Sequence, residues 1–306
     1  MMNITQALRR AVQQAPNLPA TVFGERSRTW RESVDRVARF AAALRDLGVA
    51  AGDRVGVLAL NSDRFFEYLF AVPWADAVLN PINVRWSVQE IAFALDDSGT
   101  QTVLVDDTFA GLVPELRVAC PGLVTIIHCG DDQLPQGTLS YEELVAANAP
   151  IPDAHRAGDA WAGIFYTGGS TGRAKGVMLS HTNIVTSALG SIASGVFMEP
   201  GGRLLHAAPM FHLADLAGWI ARSILGGTHV ILPSFVPATA LAAIERHRVT
   251  EMLLVPTLVQ ALVDEPAAAK TDLSSLRHVM YGGGAITEVV IDRAATVLPG
   301  CEFTQA

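Results

Sequence analysis

Tyr166-Thr-Gly-Gly-Ser-Thr-Gly-Arg-Ala-Lys-Gly-Val177 is the stretch on which the reading of the fold turns. It follows an apolar run at 162–165. It gathers Gly168, Gly169, Gly172 and Gly176 with the hydroxyls of Thr167, Ser170 and Thr171 and with Lys175. Small residues let backbone N–H groups approach an anion, hydroxyls add neutral donors, and a lysine adds a point charge. A polyphosphate site requires that combination. The same residues also suit a flexible Gly/Ser loop between strands. The spacing argues against an ordinary P-loop, in which Gly-Lys-Ser/Thr leads into a helix. Here Lys175 follows Ala174 and precedes Gly176-Val-Met-Leu179, which reads as a second strand. No GxGxxG opens a helix after the first strand, which weakens a dinucleotide reading.

Outward from this stretch the chain alternates between strand and helix. Short β-rich apolar runs recur at 54–60, 102–105, 124–128, 163–166, 228–232, 252–255 and 278–281. Longer helical segments lie between them. Thr29 with Glu32, Ser87 with Glu90 and Ser140 with Glu143 have the spacing of capping boxes. The helix expected over 31–47 has apolar residues at 34, 37, 40, 41, 44 and 47 and stops at Gly48. Continuous apolar strands alternating with helices predict an α/β fold with mostly parallel sheets covered on both faces. A composition break at 148–158 (NAPIPDAHRAG) looks like a linker. It divides the chain into an expected first lobe, 1–150, and a second, 151–306, carrying the glycine loop. A fold can weave strands across such a break.

The chain has 306 residues, 50% of them apolar and 17% charged, with a formal net charge of −8. Soluble chains average about 25% charged residues, so this one is thin in charge. That balance excludes intrinsic disorder and implies much buried surface or apolar surface that expects a partner. A pI near 5.4 without a Lys/Arg block argues against a nucleic-acid partner. Cys120, Cys129 and Cys301 form no CxxC pair. They read as reduced thiols of a cytoplasmic protein. The N-terminus lacks the apolar core of a signal peptide. The long uncharged stretch at 176–198 is interrupted by His181 and rich in Ser, Thr, Asn and Gly, so no membrane span is expected.

Several residues carry bland expectations. Asp215 reads as a favourable acid in the first turn of a helix, with a polar acyl substrate as the alternative. His206 receives no role. Glu142 and Glu143, like Asp131 and Asp132, are neighbours that point apart and read as solvated surface. Trp161, Trp219 and Phe165 read as core.

The 166–177 stretch resembles the phosphate loop of the adenylate-forming superfamily, which includes acyl-CoA and aryl-CoA synthetases, firefly luciferase and nonribosomal-peptide adenylation domains. The usual form is Tyr-Thr-Ser-Gly-Thr-Thr-Gly-x-Pro-Lys-Gly-Val. This chain departs from it at Gly168, Ser170 and Ala174. The resemblance extends further: to Asn80-Pro-Ile-Asn83, Arg85, Glu90-Ile91 and Asp97-Ser-Gly99; to Ala208-Pro-Met-Phe-His212, similar to a substrate-pocket motif; and to Tyr281-Gly-Gly-Gly-Ala-Ile286. Phe303-Thr-Gln305-Ala306 is similar to the approach to a Tyr-Gly-x-Thr-Glu motif.

The resemblance implies two stacked, mostly parallel sheets, with the chain cut before the β-barrel subdomain and the C-terminal domain. It implies an acid–thiol ligase that activates a small carboxylic acid with ATP and magnesium and passes the acyl group to coenzyme A. The 306 residues alone would then be partly active at best. Lys175 and Thr167 would serve catalysis, with Thr167 also near magnesium through the phosphates. Thr167, Gly168, Gly169, Ser170, Thr171, Gly172, Lys175, Gly283, Gly284, Ala285 and Gln305 would bind nucleotide. His212, Phe211 and Gly282 would line the acid pocket. A missing C-terminal domain or partner chain is expected, and a homodimer is compatible. Alternatives are a non-catalytic nucleotide-binding half of a split protein, a peptide-synthetase-type adenylation enzyme, and an unrelated phosphotransferase.

Overall fold

A computed structural model describes residues 2–168, 173–195 and 198–305. The chain opens with α1 (Thr5–Gln14), β1 (Pro19–Phe23), β2 (Arg26–Thr29), α2 (Trp30–Asp46), β3 (Arg54–Leu58), α3 (Asp63–Trp74), β4 (Val78–Pro81), α4 (Val88–Asp97) and β5 (Thr102–Val105). It continues through α5 (Val113–Ala119), β6 (Thr125–His128), β7 (Leu139–Ser140), α6 (Tyr141–Ala147), β8 (Trp161–Thr167), β9 (Lys175–Ser180) and α7 (His181–Ala193). The remainder is β10 (Arg203–His206), α8 (Leu213–Ile224), β11 (Thr228–Ile231), α9 (Pro237–His247), β12 (Glu251–Leu254), α10 (Pro256–Asp264), β13 (His278–Tyr281), α11 (Glu288–Val297) and β14 (Glu302–Gln305).

Two compact units form, each around one seven-stranded mixed sheet. The first holds residues up to Arg9 and Arg31–Val185, with strand order β7-β6-β5-β3-β4-β8-β9. All its described pairs are parallel except β8 with β9. The second holds Arg10–Trp30 and residues from Thr186 onward, with order β14-β13-β12-β10-β11-β1-β2. Only β1 with β2 runs antiparallel there. Each sheet thus ends in one antiparallel edge strand.

The division expected at 150 is corrected by this pairing. β8 pairs with β4 at Leu79 and Gly163, and β9 follows β8, so 161–180 completes the first sheet. Conversely, β1 joins β11 of the second sheet. The 148–158 segment has linker composition but is pinned to the first unit. Asn148 O accepts from Arg39, Ile151 N donates to Ala38 O, and Asp153 accepts from the Thr5 hydroxyl at 2.6 Å.

Local rules explain several helix ends. Ser87 and Glu90 complete a reciprocal capping box on α4. On α6, Ser140 accepts from Glu143 N. Helix α2 ends at Gly48, whose φ of +89° suits glycine. Every residue of α3 is buried, and its Tyr68 hydroxyl donates to Val55 O and accepts from Asn80 N, bridging β3 and β4.

The acids expected on the solvated surface are exposed at Asp131, Asp132 and Glu143, while Glu142 is half-buried. Glu142 accepts from both Arg36 and Arg64, and Asp131 from Arg64 at 2.8 Å. Arg36 also pairs with the buried Glu67 at 2.7 Å. Partial burial pushes the Glu142 pKa up, but hydrogen bonds from the two guanidinium groups outweigh it and hold the carboxyl at about 2. Adjacent acids do point apart. Here Glu142 and Asp131 each meet an arginine from a distant segment.

Candidate functional site

The first group of site residues lies on the β8–β9 hairpin of the first unit. Strand β8 is buried from Ala162 to Phe165 and emerges at Thr167 and Gly168, both exposed. Its interior depends on glycine. A Cβ at Gly163 would meet the Phe165 ring at 2.6 Å, and one at Gly176 would meet Ile164 Cγ2 at 2.8 Å. Both limbs of the hairpin touch α4. The Tyr166 hydroxyl donates to Asp97 at 2.6 Å, and the Arg173 guanidinium sits 5.2 Å from the Phe93 ring centre. The Trp86 ring adds an edge contact to Tyr166 at 6.1 Å. Partial burial and the Asp97 carboxylate push the Tyr166 phenol well up, so it stays a donor.

The Thr167 hydroxyl reaches Lys175 O at 3.5 Å, and the two residues are register partners at the end of the hairpin. The Lys175 side chain is exposed, with no ion pair among the described residues. Gly169, Ser170, Thr171 and Gly172 lie outside the described residues. An exposed hydroxyl and an ammonium at the mouth of a glycine loop can hold the oxygens of an anion. The loop leaves the C-terminal end of β8, the edge where open α/β sheets bind ligands.

The second group lies at the corresponding edge of the second sheet. β10, β12, β13 and β14 are parallel neighbours, so the turns leaving them share one edge. Phe211 is buried and His212 exposed, with ring centres 4.2 Å apart. His212 is the N-cap residue of α8. Gly283 has φ +77°, and its Cα face and that of Gly284 pack against Val255 and Pro256. Ala285 and Gln305 are exposed, and Gln305 is in register with Tyr281.

Behind this edge lies what the sequence reading missed. Asp215 is, as read, an acid in the first turn of α8, but it is 3% exposed and its carboxylate meets His206 Nδ1 at 2.7 Å. His206, given no role, is fully buried and continues to His229. Close by, Arg222 and Glu251 form a buried ion pair at 3.1 Å. Trp161 also departs from expectation, at 48% exposed, because it begins β8 at the sheet margin. Trp219 and Phe165 are core, as read. Among the described residues no cluster of three or more His, Cys, Asp or Glu could hold a metal.

Comparison with known proteins fits this layout. Residues 8–306 match the family model of the AMP-binding enzymes, and the chain belongs to that family. It is 32% identical to 2-succinylbenzoate–CoA ligase of Arabidopsis thaliana over 99% of this chain and 56% of that protein. It is 35% identical to a feruloyl-CoA synthase of Amycolatopsis sp, over 97% of this chain and 58% of that protein. The chain therefore spans a little over half the length of these relatives. Among solved structures, the N-terminal domain of FACL13 from Mycobacterium tuberculosis matches all of this chain and 75% of that one, with a TM-score of 0.90 and 31% identity.

Proposed function

We propose that this chain supplies the carboxylate-activating core of an acid–thiol ligase. A carboxylate oxygen attacks the α-phosphorus of ATP, the bond to the bridging oxygen breaks, and pyrophosphate leaves. The thiol of coenzyme A then attacks the acyl-adenylate carbonyl and AMP leaves. The observation that carries this reading is the Tyr166–Val177 hairpin, which presents Thr167, Gly168 and Lys175 at the ligand-binding edge of its sheet. Family membership and relatives named as CoA ligases support it.

In this reading Lys175 and Thr167 meet the polyphosphate, with Gly169, Ser170, Thr171 and Gly172 continuing the cradle. Positioning and charge neutralisation then account for the rate. Magnesium would come with the nucleotide and neutralise phosphate charge; a hard cation that keeps most of its waters needs few protein oxygens, and Thr167 would lie near it through the phosphates. Phe211, His212 and Gly282 face the acid, while Gly283, Gly284, Ala285 and Gln305 meet the nucleotide. The thioester step calls on a further domain or partner chain.

No described helix is long and apolar enough to cross a membrane. Three free cysteines suit a reducing compartment, which we take to be the cytoplasm.

The test is pyrophosphate exchange into ATP, driven by a panel of aliphatic and aromatic acids, with AMP released when coenzyme A is added. Transfer of the γ-phosphate with release of ADP overturns the reading in favour of a phosphotransferase. Direct titration of the chain with magnesium-ATP addresses the loop itself, and unchanged affinity in Lys175→Ala removes Lys175 from it.

A further inference from the structure

The second unit contains a line of buried polar groups for which the proposed reaction has no direct use. The Ser223 hydroxyl donates to Trp219 O at 2.8 Å, so its oxygen is left to accept. His229 Nε2 lies 3.1 Å from that oxygen and must donate to it. His229 Nδ1 is then an acceptor if the ring is neutral. Full burial, next to His206 and Arg222, pushes the His229 pKa well down, in keeping with a neutral ring. His206 Nε2, 2.8 Å from His229 Nδ1, therefore donates. One gap remains, the 2.7 Å between His206 Nδ1 and Asp215 Oδ2, and it holds a single proton. Asp215 lies in the first turn of α8, where the helix dipole favours the carboxylate. The other charges nearby, Arg222 and Glu251, are paired with each other.

This directed chain ties two elements together. His206 is the last residue of β10, and Asp215 is in the first turn of α8. Between them runs the 207–212 turn that carries Phe211 and His212. Its far end is held by Asp215 N and Leu216 N, which both donate to His212 O, at 3.1 and 3.2 Å. The edge of the Trp30 ring meets His229 at 6.0 Å and closes the chain's inner end. We propose that Asp215 and His206 are positioning residues: hydrogen-bonded to each other and oriented by His229 and Ser223, they clamp the turn that presents Phe211 and His212. This rests on the proposed function only in naming the acid as the ligand of that turn.

Two measurements test the clamp without any turnover. Nitrogen-15 spectra of the histidine-labelled chain should show His229 as the Nε2–H tautomer, His206 protonated on Nε2, and one far-downfield proton between His206 Nδ1 and Asp215. A His229 protonated on Nδ1, or the absence of that downfield proton, overturns the proposal. Hydrogen exchange of Asp215→Ala should quicken at least tenfold at the amides of 207–216 while those of β8 and β9 stay unchanged. Asp215→Asn, which keeps an acceptor, should restore part of the protection but lose the downfield proton. Unchanged exchange at 207–216 in Asp215→Ala overturns the clamp, and if that variant does not fold, the wild-type spectra still decide. In the exchange assay Asp215→Asn should raise KM for the acid about tenfold and leave that for ATP within twofold. If no acid drives exchange in the wild type, the ligase reading fails, while the spectra and hydrogen exchange still judge the clamp.

Discussion

The β8–β9 hairpin and the β10–β12 region of the second sheet hold their polar groups in opposite ways. In the hairpin, Thr167, Gly168 and Lys175 face water, and only the strand bases are packed. Behind β10, Arg222, Glu251, His206, His229 and Asp215 are almost wholly buried, and each satisfies another. The first arrangement leaves donors unsatisfied for a ligand. The second spends them on internal order. Substitutions in the first region should therefore change binding with little effect on stability, and those in the second should do the reverse.

The largest break in that contrast comes at the buried pair. Glu251→Leu leaves Arg222 charged and unpaired. It should cost about 3–5 kcal/mol in urea unfolding, and a loss below about 1 kcal/mol would show that the pair is not load-sharing. Next is pH. Burial, and then the nearby Arg156 charge, lower the His181 pKa from 6.5 to about 4. The unfolded chain then takes up a proton that the folded chain refuses. Stability is full above about 6.5 and falls as pH drops from there to about 4, by roughly 3 kcal/mol at 1.36 kcal/mol per unit. His181→Asn should flatten that part of the pH–stability curve.

Gly176→Ala sharpens the comparison from the hairpin's packed base. A Cβ 2.8 Å from Ile164 should cost about 1–3 kcal/mol, although the loop a few residues away is exposed. Lys175→Ala, by contrast, should leave the melting temperature unchanged and weaken ATP about tenfold, which is about 1.4 kcal/mol. The smallest effect is at Asp97→Ala. Loss of the Tyr166 hydrogen bond should weaken ATP by a few fold, about 0.5–1.5 kcal/mol, and Asp97→Asn, which keeps an acceptor, should recover most of it.

The same contrast explains what was legible. The hairpin's chemistry is contiguous in sequence, so its glycines, hydroxyls and lysine could be read from one stretch. The strands at 54–58, 102–105 and 228–231 are buried on both faces and stood out as apolar runs. β4, at Val78–Pro81, and β1 did not, because their short runs carry Asn80, Pro81 and Thr21. The unit boundary was hidden because it depends on β8 choosing β4 across some eighty residues. The contact between His206 and Asp215 is hidden for a related reason. They share neither a helix face nor a strand face, and only the turn between them brings the ring to the carboxylate.

β9 is the outer strand of its sheet, with Val177 and Met178 exposed beside Lys175. Bare apolar edges invite other chains to add a strand, and a lysine on such an edge discourages them. Lys175 thus guards this edge in addition to the role proposed for it at the anion site. A variant that removes it should also form soluble aggregates at high concentration, and replacing it by arginine should prevent them even where ATP affinity is not restored.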